Sequence, residues 1–192
     1  SEGRSVYLKS GASGATLFQY STYDGPNNGW VYGVNWIGDV NGNDTLDLLA
    51  AAGGNSTNPS GTVFCFDGGS RTGSVRILWT FSVPGDGAQC VCPIGDVNGD
   101  SVPDVAAGAG GNGTDDRVFG LNGATGAQLW QFDTGNSVSD VIDVGDGDGD
   151  GIHDLAAGGW DDSVYCLKGN TGGLIWKAGI GDIVMDLERL PD

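Results

Sequence analysis

The chain has 192 residues, of which 37 are Gly, about 19% against a usual share near 7%, and its 25 acidic and 8 basic residues give a formal net charge of −17. Of the acids, 23 are Asp and only Glu2 and Glu188 are Glu, while Lys is limited to Lys9, Lys168 and Lys177. Exposed helix faces are built from Glu and Lys, so an all-helical fold is excluded. The charge would repel nucleic-acid phosphate, and no apolar run is long enough for a membrane-spanning helix.

Six Trp, five Tyr and six Phe, with short Val/Ile/Leu runs, set the chain apart from disordered sequences. The glycines keep no three-residue period, which excludes collagen. Ser1 opens the sequence without a charged or leader-like apolar region. The expectation is a processed secreted chain or a piece of a longer polypeptide. Abundant Asp with little Lys suits a protein that meets millimolar calcium outside the cell. Sequons at Asn43, Asn55 and Asn112 agree weakly with secretion.

Residues 5–9 and the stretch Leu17-Phe18-Gln19-Tyr20 read as two strands around a Gly-containing turn. Residues 31–37 alternate as a strand and lead into Gly38-Asp39-Val40-Asn41-Gly42-Asn43. An apolar run at 48–53, an aromatic strand Val63-Phe64-Cys65-Phe66 and a last strand Leu78-Trp79-Thr80-Phe81 follow. The order then repeats. Residues 90–94 precede Gly95-Asp96-Val97-Asn98-Gly99-Asp100, and Val118-Phe119-Gly120-Leu121 and Leu129-Trp130-Gln131-Phe132 come after. A third pass runs from 138–144 through Gly145-Asp146-Gly147-Asp148-Gly149-Asp150 to Val164-Tyr165-Cys166-Leu167 and Ile175-Trp176-Lys177-Ala178.

Each pass is four short strands, a to d, in roughly 50 residues, the size of a propeller blade. The repeat disfavours an irregular β-sandwich, and the unit is long for a solenoid rung. We therefore expect an all-β, propeller-like array of four-stranded antiparallel blades. A partial blade occupies 1–22, full blades 29–82, 88–133 and 137–179, and a lone strand a lies within 181–190. That makes 15 strands.

The loop between strands a and b reads Asp-x-(Asp/Asn)-Gly-(Asp/Asn)-x-x-x-Asp. Its expected metal ligands are Asp39, Asn41, Asn43 and Asp47 in loop one, Asp96, Asn98, Asp100 and Asp104 in loop two, and Asp146, Asp148, Asp150 and Asp154 in loop three. The main-chain carbonyls of Thr45, Val102 and Ile152 complete the sets. Oxygens at alternate positions of a tight turn converge on one point, and a purely hard-oxygen set selects calcium, one ion per loop. An EF-hand is ruled out, because Ala50, Ala107 and Ala157 stand where its bidentate Glu is needed and strands flank the loop. Ligand charge of −2, −3 and −4 predicts that loop one loses its ion first, and that Asn43 stays unglycosylated.

These loops resemble the FG-GAP/VCBS repeats of integrin α-subunit propellers. The endings such as Thr125-Gly126-Ala127-Gln128-Leu129-Trp130-Gln131-Phe132 are similar to quinoprotein-type propeller repeats. The resemblance implies a β-propeller with calcium held in the a–b loops. It does not single out a function, because such blades serve adhesion, lectins, lyases and scaffolds.

Other signals are weaker. Residues 108–113 match a dinucleotide fingerprint but precede no helix. His153, the lone histidine, is expected to face solvent beside loop three, with no nucleophile placed beside it. No catalytic constellation is found, so no enzyme activity is expected. The acid pairs Asp115/Asp116 and Asp161/Asp162 read as hairpin turns. Trp79, Trp130 and Trp176 share one register and read as packing between blades. Trp160 is the surface aromatic best placed for a sugar. Of the four cysteines, Cys65 and Cys90 are the expected disulfide pair.

The function expected is an extracellular, calcium-stabilised structural or adhesive repeat protein. Its partners would be further copies of itself, head to tail in a fibre or ring, or flanking blades of a longer chain. A carbohydrate-binding or polysaccharide-lyase propeller module is the alternative.

Overall fold

The computed structural model describes residues 4–22, 29–54, 60–71, 73–111 and 116–189. Among them every regular element is a strand. A hairpin, β1 (Ser5–Lys9) and β2 (Thr16–Ser21), precedes three four-stranded sheets. The first holds β3 (Val31–Ile37), β4 (Asp47–Ala52), β5 (Thr62–Phe66) and β6 (Ile77–Ser82). The second holds β7 (Gly87–Ile94), β8 (Asp104–Gly110), β9 (Arg117–Leu121) and β10 (Gln128–Asp133). The third holds β11 (Val138–Gly145), β12 (Asp154–Gly159), β13 (Ser163–Leu167) and β14 (Leu174–Gly179). Each sheet is an antiparallel meander in sequence order, with strands a to d side by side. The expected all-β, bladed architecture is present.

The sheets stack face to face. Strands β3, β7 and β11 lie next to one another along one edge of the stack. The second strands β4, β8 and β12 are buried along their whole length, because both of their faces are covered, those of β4 and β8 by neighbouring sheets and those of β12 by the second sheet and the segment around Val184. That position explains their runs of Ala and Gly where an exposed strand would alternate. At Gly108 a Cβ would collide with Cys90 Sγ and Val138, so the close approach of two sheets depends on that residue.

Three apolar cores result. Val6, Leu8 and Phe18 of the hairpin pack on Phe64 and Phe66. Leu49, Val63, Cys65 and Trp79 of the first blade meet Val91, Val105 and Phe119 of the second. Cys90, Ala106, Val118 and Trp130 of the second meet Val141, Leu155 and Tyr165 of the third.

Two expectations are corrected. The four cysteines are free. Cys65 lies in the core between the first two blades, but it is Val91 of β7 that enters that core. Cys90, one residue earlier, points to the opposite face, toward Val138 O at 3.9 Å. Alternation along β7 thus keeps the Cys65 and Cys90 thiols on different sides of a sheet. Burial pushes the Cys65 thiol up to about 12, as suits an inert core group.

The second correction concerns 181–190, where no strand forms among the described residues. The segment nevertheless takes the inner-strand position of a next blade. Val184 packs on Gly158 as Val138 packs on Gly108, and its N–H donates to Gly159 O at 3.0 Å. With no described strand b beside it, there is no ladder to make it a strand.

Candidate metal centre

The three a–b loops share one hydrogen-bond plan. The first Asp accepts from the backbone ahead of it. Asp39 takes the N–H groups of Gly42 at 2.7 Å, Asn43 at 3.1 Å and Asp44 at 2.6 Å. Asp96 takes those of Gly99, Asp100 and Ser101, and Asp146 those of Gly149, Asp150 and Gly151. Closing this ring of amides places the sixth loop residue in the left-handed region, with φ of 63° at Asp44, 69° at Ser101 and 86° at Gly151.

These amides stabilise the carboxylate form. Burial opposes ionisation of Asp39, but four backbone N–H groups outweigh it and hold the carboxyl below its usual range. At Asp96 the Ser101 amide leads in the same direction.

The last Asp of each loop is buried. Asp47 accepts from Val40 N at 2.9 Å, Asp104 from Val97 N at 2.9 Å and Asp154 from Gly147 N at 2.8 Å. Each uses its other oxygen outside the loop, on a glycine of the c–d turn. The donors are Gly68 N at 3.0 Å, Gly123 N at 3.0 Å and Gly169 N at 3.2 Å. Burial pushes Asp47 and Asp104 upward, and neighbouring carboxylates add to it: Asp67 and Asp39 for the first, Asp100 and Asp96 for the second. A cation in the loop would relieve that cost.

Of the expected ligands, loop three gathers Asp146, Asp148 and Asp154, with one carboxylate oxygen of each within 4.8 Å of the others. In loops one and two the third residue touches the last, Asn41 Nδ2 at 3.3 Å from Asp47 and Asn98 Nδ2 at 2.8 Å from Asp104. Rotating either amide would present its oxygen instead. The fifth residue is drawn toward the c–d turn in every loop. Asn43 Nδ2 donates to Asp67, Asp100 accepts from Asn122 Nδ2, and Asp150 lies 3.6 Å from Lys168 Nζ. Lys168 also pairs with Asp148. A hard-oxygen donor set of this kind would suit a divalent cation such as calcium.

The c–d turn carries a contact that a single strand pattern does not reveal. Trp79 Nε1 of the first blade donates to Gly123 O of the second at 2.6 Å, and Trp130 Nε1 of the second donates to Gly169 O of the third at 2.6 Å. The indole lies against the next glycine of that turn, where φ is 72° at Gly126 and 67° at Gly172. The residue at 123 or 169 therefore gives its N–H to the loop aspartate of its own blade and its carbonyl to the tryptophan of the blade before. The recurrence of a Gly at 68, 123 and 169 was the available signal.

The remaining sequence signals fall as follows. His153 is half exposed, yet its Nδ1 lies 2.8 Å from Asp143 Oδ2 and its ring covers Gly95, so it links two blades and does not simply face solvent. Asp161 takes the Tyr165 hydroxyl and Lys177. Trp160 is 52% exposed and borders a cavity of about 160 Å³ lined also by Gln89, Asn136 and Ser137. Asn55, Asn112, Asp115 and the end of the 108–113 glycine run lie outside the described residues.

No family model matches the chain, and no curated protein matches it. Among solved structures it is similar to BamB from Moraxella catarrhalis, with a TM-score of 0.52 and 20% identity over 86% of this chain. The fold is that of a β-propeller. The chain spans 40% of the length of BamB, and at this identity the likeness bears on fold alone.

Proposed function

We propose that this chain is a calcium-stabilised propeller segment with a structural or adhesive role outside the cell. The observation that carries the reading is the recurrence of one carboxylate cradle in three successive loops, gathered most tightly at Asp146, Asp148 and Asp154. The ion would neutralise carboxylates that the fold has already oriented, and through Asp47, Asp104 and Asp154 it would brace the c–d turns. The acidic composition and the millimolar calcium of extracellular fluid agree with this.

The test is thermal unfolding with calcium and with chelator, beside a calorimetric titration. We expect binding at three sites and a melting temperature raised by calcium, because a ligand at about a hundredfold over its dissociation constant contributes roughly 2.7 kcal/mol. A titration without heat and an unchanged melting temperature would overturn the reading.

A second reading, carbohydrate binding, is favoured by Trp160 beside the polar cavity of Gln89, Asn136 and Ser137. A glycan array that gives signal lost in Trp160→Ala would support it, and a blank array would remove it.

A further inference from the structure

The joint between blades has two halves, an indole on strand d and a Gly-containing c–d turn on the next blade. Both joints of this kind among the described residues are complete, with Trp79 and Trp130 each only 7% exposed. Among the described residues one further half of each kind is unmatched. Trp176 of β14 occupies the same register, but it is 48% exposed, and its N–H has no acceptor among the described residues. Ile180, four residues further along the chain, is exposed as well, whereas Val83, which holds its place in the first blade, is buried.

The matching turn is in the first hairpin. Residues 10–15, Ser10-Gly11-Ala12-Ser13-Gly14-Ala15, fold as residues 122–127 and 168–173 do. Ser10 N donates to Ala15 O at 2.9 Å and Gly14 N to Ser10 O at 2.8 Å. The counterparts are Asn122 N to Ala127 O at 2.8 Å and Gly126 N to Asn122 O at 2.7 Å, repeated at Lys168 and Gly172. Gly14 has φ of 70°, against 72° at Gly126 and 67° at Gly172. Around Gly11 and Gly14 there is open space where Gly123, Gly126, Gly169 and Gly172 meet neighbours.

We infer that two copies of this chain join head to tail, with Trp176 of one seated in the Ser10–Ala15 turn of the other. The indole N–H would donate to Gly11 O and the ring would lie on Gly14. The joint continues, between molecules, an interface built twice within one. The segment 183–189 of the first copy already holds the inner-strand position beside it, and β1 and β2 of the second supply the two outer strands. Such a contact is heterologous, so it propagates into rings or filaments. It stands apart from the metal reading, because no loop aspartate takes part.

Sedimentation velocity from about 1 to 300 µM spans the dissociation constants expected of a joint of this size. Salt near 0.15 M, with a Debye length of about 8 Å, screens the repulsion between acidic copies. The wild type should pass from monomer to dimer and longer species. Trp176→Ala removes the indole. Gly14→Asn fills the ring's place with a residue that tolerates positive φ. Each variant alone should stay monomeric, its dissociation constant raised at least about tenfold, as for a buried Trp anchor. Their equimolar mixture should give a dimer and nothing larger, since one variant keeps only the turn and the other only the indole. A wild type that remains monomeric, variants that associate as the wild type does, or a mixture without dimer would each overturn the pairing. Circular dichroism spectra matching the wild type show that the variants keep the fold.

Discussion

Replacing Trp130 by Phe isolates the joint between the second and third blades. The indole N–H is the donor to Gly169 O at 2.6 Å, and both groups are buried. Its loss leaves a buried carbonyl without that donor, at a cost of about 1–3 kcal/mol. The smaller ring also leaves space for roughly two methylene-sized groups, worth about 1–2 kcal/mol after partial collapse. The sum is about 3 kcal/mol, which in a domain of this length lowers the melting temperature by roughly 6–12 °C. Trp176→Phe makes the same chemical change on an exposed ring and, at concentrations where the chain is monomeric, should cost less than about 0.5 kcal/mol. Thermal melts followed by near-ultraviolet dichroism would compare the two. Equal shifts for both variants, or a Trp130→Phe melt within about 2 °C of wild type, would show that the joint contributes nothing beyond apolar burial. The hairpin gives a natural control, because Phe18 holds the equivalent position there and packs on Phe66 with centroids 5.8 Å apart, without an N–H to satisfy.

Ser101→Gly should stabilise the chain by about 1 kcal/mol, because Ser101 sits at φ 69° where the third loop already has Gly151; a lower melting temperature would refute the strain. Lys168→Gln frees Asp148 and Asp150 of a competing cation and should tighten calcium at loop three several-fold in a calorimetric titration, whereas unchanged affinity would show that Lys168 does not compete. Asp140 is pushed up by burial and by Asp186, while it accepts from Leu187 N at 2.8 Å. The folded chain then holds this proton more tightly than the unfolded chain, so stability falls as pH rises from the ordinary Asp range through the raised value. Asp140→Asn should remove that slope and raise the melting temperature at neutral pH, and an unaltered pH profile would refute the assignment.

The strands were legible because turns rich in Gly, Asp and Asn punctuate short apolar runs, and because one pattern recurs three times. The first loop aspartates were legible for the same reason, since their partners are backbone amides three to five residues on. What the sequence hid is non-local. Whether Cys65 meets Cys90 depends on which face of β7 each odd or even residue takes, and the register shift between Ala88 and Cys90 breaks any count from the strand's start. The bonds from Asp104 to Gly123 and from Asp154 to Gly169 depend on how a loop lies on a turn of the same blade. The extended stretch after Gly181 shows the other limit, since an alternating run becomes a strand only where a neighbour completes the ladder.

The direction of the tryptophan contacts bears on how the chain is made. Each indole belongs to the earlier blade and its acceptor to the later one, 44 residues on for Trp79 and 39 for Trp130. During synthesis at about 5–20 residues per second, a blade that has just emerged holds its tryptophan unmatched for several seconds. The nascent chain then carries one exposed indole at its growing edge, which moves forward a blade at a time. A pause while 80–122 or 131–168 is being translated would prolong that exposure, and so would a substitution that disorders the c–d turn. Errors of folding would concentrate at this moving edge, where a tryptophan from one ribosome can find the turn on another.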